Sequence, residues 1–373
     1  MSTTIFILGK DRDLSLAELD ACFDDADFVM AGEDYAVVEM KKELGQSDLD
    51  RMGGVLKIAR VLAEAGRGDL LNKLFVQLEE FNQGNKLNYG ISLYGWAERN
   101  LRGLLLDLKK KLRTAGISSR FANQDFMNIS TAQSKGLRGK GIELIVARTE
   151  NGFLIAEVVA VQDIDAYSKR DYDKPFRDMK VGMLPPKLAQ MMINFAGDAK
   201  TIWDPFCGGG VLVMEGLLMG KKMIGSDINA ETLEGAKRNV DWLKREFEVG
   251  ADARLFVNDA TSPIPSDIQF DAIVFEGYLG PPQSRPPAAQ NLRSVISELN
   301  DLYIRFFTSI KRSGFKGPIV VGLPFFRCLH NKELHLDKAI DTIEQIGFHL
   351  KAESLCYARE DQAVGREIFV FSV

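Results

Sequence analysis

The stretch TIWDPFCGGGVLVMEGLLMGKKMIGSDIN, residues 201–229, constrains this chain more than any other. It reads as strand, glycine turn, helix and strand, with an acidic residue closing each strand. Ile202 and Trp203 run into Asp204, the chain turns through Cys207-Gly208-Gly209-Gly210, and an apolar helix follows (Val211, Leu212, Met214, Leu217, Leu218). The strand Met223-Ile224-Gly225 then ends at Asp227. Glycines let the backbone approach a ligand, and the helix N-terminus offers free N–H groups. A dinucleotide fingerprint requires a third glycine where Val213 stands. Asp204, just ahead of the turn, would repel a pyrophosphate but suits a ligand bearing sulfonium and ammonium groups. Asp227, a little over twenty residues on, is placed for a ribose diol. S-adenosylmethionine fits these residues better than a nicotinamide dinucleotide.

The rest of the chain narrows the chemistry. Among 373 residues, 46% are hydrophobic, enough for two or three globular domains. No run approaches the roughly 18 apolar residues of a membrane span, and MSTTIFILGKDRD lacks a secretory pattern. Cys22, Cys207, Cys328 and Cys356 show no CxxC spacing, so the expectation is a reducing, cytoplasmic compartment and no metal. HExxH and Gly-x-Ser-x-Gly are absent, which argues against zinc and serine hydrolases. The net charge is −5, unevenly spread: residues 1–50 hold 4 Lys/Arg against 13 Asp/Glu, and residues 51–150 hold 17 against 9. A basic middle in an acidic protein is either a phosphate-binding face or a solvated helix face.

In chain order, residues 3–8 read as a strand, Ser15-Leu16-Ala17-Glu18 as a capping box opening a helix, and 35–40 as a second strand. A small α+β unit spans residues 1–55. Glu98–Thr114 is predicted to be an amphipathic helix with an apolar stripe of Leu101, Leu104, Leu105, Leu108 and Leu112, and with Arg102, Lys109, Lys110 and Arg113 outside it. Residues 134–140 (SKGLRGK) read as a loop in which Lys135, Arg138 and Lys140 alternate with glycine, able to wrap a phosphate or simply to turn. Residues 163–186, polar and punctuated by Pro175, Gly182, Pro185 and Pro186, are the expected domain boundary. From residue 201 to 373 strands and helices alternate. This predicts an α/β architecture: a Rossmann-like, seven-stranded class I methyltransferase sheet, with residues 350–357 and 366–373 as an antiparallel hairpin at its edge.

Four sets of residues together resemble the THUMP-domain tRNA guanine-N2 methyltransferases. They are DPFCGGG with GSDIN; Val181-Gly182-Met183-Leu184-Pro185-Pro186-Lys187-Leu188-Ala189; Tyr357-Ala358-Arg359 with Val364-Gly365-Arg366-Glu367-Ile368; and the front half, ILGKDRDLSLAEL with Ser130-Thr131-Ala132-Gln133 and Lys140-Gly141-Ile142-Glu143-Leu144. The resemblance covers essentially the whole chain. It implies a ferredoxin-like domain at 1–55, a THUMP-like RNA-binding domain at 56–162, a linker and helix at 163–200, and the methyltransferase domain at 201–373. It further implies tRNA as partner, with Arg102, Lys109, Lys110, Arg113, Lys135, Arg138 and Lys140 as candidates for holding its backbone. Asp204, Phe206, Cys207, Gly208 and Gly210 would hold the methionine part of S-adenosylmethionine, Asp227 with Ile228 the ribose, and Asn258, Asp259 and Ala260 the adenine.

One departure stands out. Such amine methylases carry Asp or Asn, two prolines and an aromatic residue after the fourth strand. Here the run is Phe275-Glu276-Gly277-Tyr278. An exocyclic amine is a poor nucleophile until acceptors bind its hydrogens and localise its lone pair, while an aromatic face stacks on the base, worth about 1–3 kcal/mol. Glu276, one place along, supplies an acceptor if the loop shifts by a residue; Gly277 permits the shift, and Tyr278 keeps the aromatic. Three readings follow: an RNA amine methyltransferase using Glu276, Gly277 and Tyr278, a catalytically impaired tRNA-binding protein, or a DNA amine methylase.

Overall fold

The computed structural model describes residues 2–177, 183–283, 285–359 and 362–373. Val181 and Gly182 of the second resemblance block lie outside the described residues. The chain divides into two compact units, one of residues 1–16 and 23–166, the other of residues 17–22 and 167–373.

The first unit runs β1 (Ser2–Leu8), α1 (Arg12–Cys22, shared with the second unit), β2 (Asp27–Ala31), β3 (Tyr35–Met40), α2 (Gln46–Leu49), β4 (Val55–Ala65), α3 (Leu70–Phe81), β5 (Leu87–Tyr94), α4 (Leu101–Thr114), β6 (Ser119–Phe121), α5 (Thr131–Leu137), β7 (Ile142–Arg148) and β8 (Phe153–Val161). The order β2-β3-β1-β4 with this βαββαβ connectivity is ferredoxin-like. The sheet continues as β8-β7-β5-β6, making eight strands. The division expected at residues 55/56 therefore does not separate one sheet from another. β4 bonds to β1 along one edge and to β8 along the other, so its backbone groups are satisfied only within a continuous sheet. Leu101, Leu105, Leu108 and Leu112 of α4 are fully buried against Leu74 and Leu78 of α3, as the stripe predicts; Leu104 is only partly covered.

Two local expectations fail here. Helix α1 begins three residues before Ser15, whose hydroxyl donates to the Asp11 carbonyl instead of capping. The capping box that does form is Ser130 with Gln133, at the start of α5. The segment expected to be a Lys/Arg–Gly loop is thus helical as far as Leu137. Of its cations, Lys135 pairs with Asp163 and Asp165 at 2.7 and 2.8 Å, and Arg138 donates to Gln46.

The expected linker also contains a packed helix, α6 (Ile164–Tyr172), in which Tyr167 and Arg170 are buried. The second unit continues with α7 (Pro186–Asn194), β9 (Thr201–Asp204), α8 (Val211–Leu218), β10 (Lys222–Asp227), α9 (Ala230–Phe247), β11 (Ala253–Val257), β12 (Ala272–Glu276), α10 (Arg293–Ser313), β13 (Ile319–Arg327), β14 (Glu333–Leu334), α11 (Asp337–Gln345), β15 (His349–Leu350), β16 (Leu355–Tyr357) and β17 (Val364–Ser372). Seven strands form the main path, β11-β10-β9-β12-β13-β17-β15, and β14 and β16 pair off it with β13 and β17. The first five are parallel, and the order reverses between β9 and β12, the switch point where doubly wound sheets open a crevice at their carboxyl ends. β17 is antiparallel and lies between β13 and β15. It pairs antiparallel with β15 and β16 at this end of the sheet, as expected of residues 350–357 and 366–373, and its alternate large apolar residues bury against the aromatic core of Phe306, Phe307 and Phe348.

Candidate active site

At that switch point lies a cavity of about 480 Å³, lined by the carboxyl ends of β9, β10, β11 and β12. Asp204, Phe206, Cys207, Gly208, Asp227, Ile228, Asn258, Asp259, Ala260, Glu276, Gly277 and Tyr278 all line it. Of the cavity residues proposed from sequence, Gly210 alone does not. It stands behind the turn as the N-cap of α8 at φ +79°, where an added Cβ would press on Ala236 at 3.1 Å. That left-handed conformation is open to glycine and strained for other residues.

The turn is held by backbone bonds. Cys207 N–H donates to the Ser226 carbonyl (2.9 Å), and Gly210 N–H to the Cys207 carbonyl (2.7 Å). Asp227 receives Gly208 N–H on one carboxylate oxygen (2.9 Å) and Asn229 N–H on the other (2.8 Å), which fixes its carboxylate at the end of β10. Asp259 accepts from the Thr261 N–H and hydroxyl with one oxygen, at 2.9 and 2.8 Å.

Asp204 is buried, at 3% exposure, and its only hydrogen bond among the described residues comes from Phe206 N–H at 3.1 Å. Burial, with Asp227 and Glu276 nearby, holds its carboxyl well above the ordinary range. A group in that state gains most from a cationic neighbour. The same burial pushes the Cys207 thiol up, so Cys207 stays protonated and is no nucleophile.

The fourth-strand run is resolved by strand alternation. Phe275 is fully buried, stacked on Phe206 at 5.1 Å and edge-on to Phe306 at 4.9 Å. Glu276, its neighbour, points to the other face and lines the cavity, so no shift of the loop is required. Glu276 Oε1 accepts from Arg366 Nε of β17 at 2.6 Å, and Arg366 Nη2 reaches the Met183 carbonyl at 3.4 Å. Burial raises the Glu276 carboxyl, and Arg366 opposes that rise. An added Cβ on Gly277 would collide with the Tyr303 ring, and the Tyr303 hydroxyl donates to the Tyr278 carbonyl at 2.7 Å. The Tyr278 side chain is 47% exposed at the cavity mouth.

Several lining residues escaped the sequence reading. Lys174 and Phe176 precede the first strand of the sheet and flank the glycine turn. Asn239 of α9 locks that arrangement: it accepts from Phe176 N–H (2.8 Å) and donates to the Phe176 and Gly209 carbonyls (3.0 and 2.8 Å). Gly235 leaves the room that the Phe176 ring fills. Arg170 of α6 forms an ion pair with Glu215 inside α8 at 2.7 Å, both buried. A proline-punctuated stretch carried no periodic signal for these contacts. Arg366, by contrast, sits in a motif already noted for its resemblance.

In the first unit Arg102, Lys109, Lys110 and Arg113 are exposed on α4, and Lys140 is exposed after α5. The Arg102 guanidinium lies over the Phe126 ring (5.2 Å) and the Lys109 ammonium over Phe121 (5.3 Å). No group of three or more potential ligands could hold a metal ion among the described residues, and no helix there is long and apolar enough to cross a membrane.

Residues 175–274 match the family described as UPF0020, RMKL-like, methyltransferase domain. The tRNA (guanine(10)-N2)-dimethyltransferase of Methanothermobacter thermautotrophicus is 35% identical over 173 residues, 45% of this chain and 46% of that protein. The enzyme of the same name from Methanocaldococcus jannaschii is 31% identical over 122 residues, 31% of this chain and 33% of that one. The matched region thus spans less than half the length of these relatives. The crystal structure of TrmN from Thermus thermophilus superposes along the whole chain, covering 100% of this chain and 99% of that one, at a TM-score of 0.55 and 13% identity. The chain therefore shares the fold of TrmN along its whole length, and its residues 175–274 match an RMKL-like methyltransferase domain.

Proposed function

We propose that this chain is an S-adenosylmethionine-dependent methyltransferase acting on the exocyclic N2 of a guanosine in tRNA, in the cytoplasm. One observation carries the reading: a single cavity gathers Asp204, Asp227 and Asp259 at successive strand ends beside Glu276 and Tyr278. The names of the partly matched relatives support the choice of base and of RNA.

The residues present fit the cofactor. A buried carboxylate with a single hydrogen bond, Asp204, suits a cationic methionine moiety beside the Phe206–Gly208 backbone. Asp227 is already oriented by two N–H groups and has lone pairs left for a ribose diol. Asp259 and Asn258 would take the adenine edge. When bound, S-adenosylmethionine supplies an electrophilic methyl group on sulfonium.

This chain's own residues then prepare the acceptor. Tyr278, held by its carbonyl to Tyr303, would stack on a base that has left its helix. Glu276 would accept a hydrogen bond from the amine, localising the nitrogen lone pair. Once the amine nitrogen carried the added methyl group and a positive charge, the same carboxylate would receive its departing proton. The lining is largely apolar around Phe176, Met183, Leu184 and Leu302, which keeps water from competing for the methyl group. In the first unit, Arg102, Lys109, Lys110, Arg113 and Lys140 would hold the RNA backbone, with less from Lys135 and Arg138, whose charges or hydrogen bonds are already engaged.

The test is incorporation of labelled methyl groups into bulk tRNA, followed by mass mapping of nucleosides. N2-methylguanosine is the expected product. No incorporation by a protein that binds the cofactor would overturn the catalytic assignment, and equal use of duplex DNA at matched salt would overturn the choice of RNA.

A further inference from the structure

We propose that Arg366 of β17 is a positioning residue: its Nε bond to Oε1 of Glu276 holds that side chain as a carboxylate with Oε2 turned to the acceptor. The inference deepens the proposed methyl transfer and rests on it for the identity of the acceptor.

Geometry carries it. Glu276 closes β12, and Arg366 projects from a strand two places along the sheet, with β13 between them. The two side chains are 13% and 4% exposed, so solvent does little to support either charge. The 2.6 Å contact engages one carboxylate oxygen only. Among the described residues Oε2 has no hydrogen-bond partner, while Glu276 itself lines the cavity. Arg366 is anchored in turn by the Met183 carbonyl, whose residue lines the same cavity. A guanidinium bound through Nε presents a planar edge, so it sets the rotation of the carboxyl group as well as its charge.

The other charged and titratable groups facing Glu276 would push it toward its neutral form or leave it unchanged. Asp204 at the end of β9 repels it, and Asp227 of β10 adds to the negative field at Asp204. Tyr303 of α10 is itself held neutral by burial. Burial acts in the same direction. Arg366 is the countervailing cation. A neutral carboxylic acid would offer a donor to an amine that already has two hydrogens, and could not take the proton released after transfer. Glutamate is one methylene longer than the aspartate or asparagine expected here, and a fixed partner offsets its extra rotamers.

The experiment compares wild type with Arg366→Met and Arg366→Lys. Glu276 ionisation is followed directly, by the carboxyl 13C resonance of selectively labelled glutamate, assigned by its loss in Glu276→Gln. This readout needs no methyl transfer, so it stands even if the proposed activity fails. Arg366→Met is expected to shift that titration upward by at least one pH unit. With methyl transfer in hand, kcat at neutral pH should fall at least tenfold and recover as pH rises, with cofactor affinity within about twofold of wild type. Arg366→Lys should keep the wild-type titration but lose kcat, since a point charge does not set the rotation. An unshifted Glu276 titration in Arg366→Met would overturn the inference, as would a kcat loss uniform in pH. If Arg366→Met does not fold, Arg366→Lys decides alone: wild-type kcat would overturn the role in aiming.

Discussion

A buried ion pair from each unit shows two opposite ways of building one. In the first unit Lys57 and Glu143 are each 2% exposed and 2.6 Å apart. Glu143 also accepts from Ser92 and Ser134, and Lys57 donates to the Ile129 carbonyl, so both carboxylate oxygens are occupied. In the second unit Glu276 accepts from Arg366 with one oxygen and faces a cavity with the other. A closed network of this kind fastens strands together. An open one keeps an acceptor in reserve, and the cost of its incomplete bonding is borne by the surrounding fold.

The contrast can be broken by substitution. Lys57→Met should produce the largest loss of stability, about 3–5 kcal/mol, because Glu143 is left buried without its counter-ion. Urea unfolding measures it, and cofactor affinity of the remaining folded protein should be unchanged. Glu276→Gln should weight the losses the other way: kcat falls about 100-fold or more, while the retained amide oxygen still accepts from Arg366 Nε and keeps the stability loss below that of Lys57→Met. Equal stability losses in the two variants would erase the distinction.

Asp204→Asn sharpens the comparison through pH. The folded carboxyl holds its proton above the ordinary value of 3.8. Its contribution to stability is therefore full below pH 3.8 and is lost as pH rises through the higher folded value. A bound cation favours the ionised form, so cofactor affinity should rise with pH across the same window. Titration calorimetry should show this in wild type, and a weaker, pH-independent affinity in Asp204→Asn, by roughly tenfold at the upper end. Tyr303→Phe removes one neutral hydrogen bond to the Tyr278 carbonyl, about 0.5–1.5 kcal/mol, and should raise KM for the acceptor more than it lowers kcat. Smallest of all, Lys135→Ala should change stability by less than about 1 kcal/mol, since its pairs with Asp163 and Asp165 are exposed.

How much of this was legible in the sequence follows the same division. The turn from Asp204 to Gly210 and the strand end at Asp227 are local: their hydrogen bonds join residues at most about twenty apart, and glycine spacing records them. The parallel sheet was legible for the same reason, since apolar runs and caps are short-range signals. The insertion of β17 between β13 and β15 was not, because a strand's pattern records which face it buries and not which neighbour it takes. Phe275 and Glu276 were separable in principle, as neighbours in a strand face opposite ways, but the register had to be known. Lys57 and Arg366 were invisible as partners: nothing in a sequence marks a lysine as paired 86 residues away, or an arginine 90. Helix α6 was missed because its interaction is a buried Arg170–Glu215 pair rather than an apolar stripe.

The 90-residue separation of Glu276 and Arg366 also bears on the order of assembly. Closing a flexible loop of that length costs on the order of 4 kcal/mol of chain entropy, against under about 3 for the 19-residue separation of Gly208 and Asp227. Folding that proceeds from short closures to long ones completes the cofactor turn first and the acceptor pair last. A late intermediate would then bind the methyl donor without being able to use it, so donor binding would report on early folding and methyl transfer on its completion.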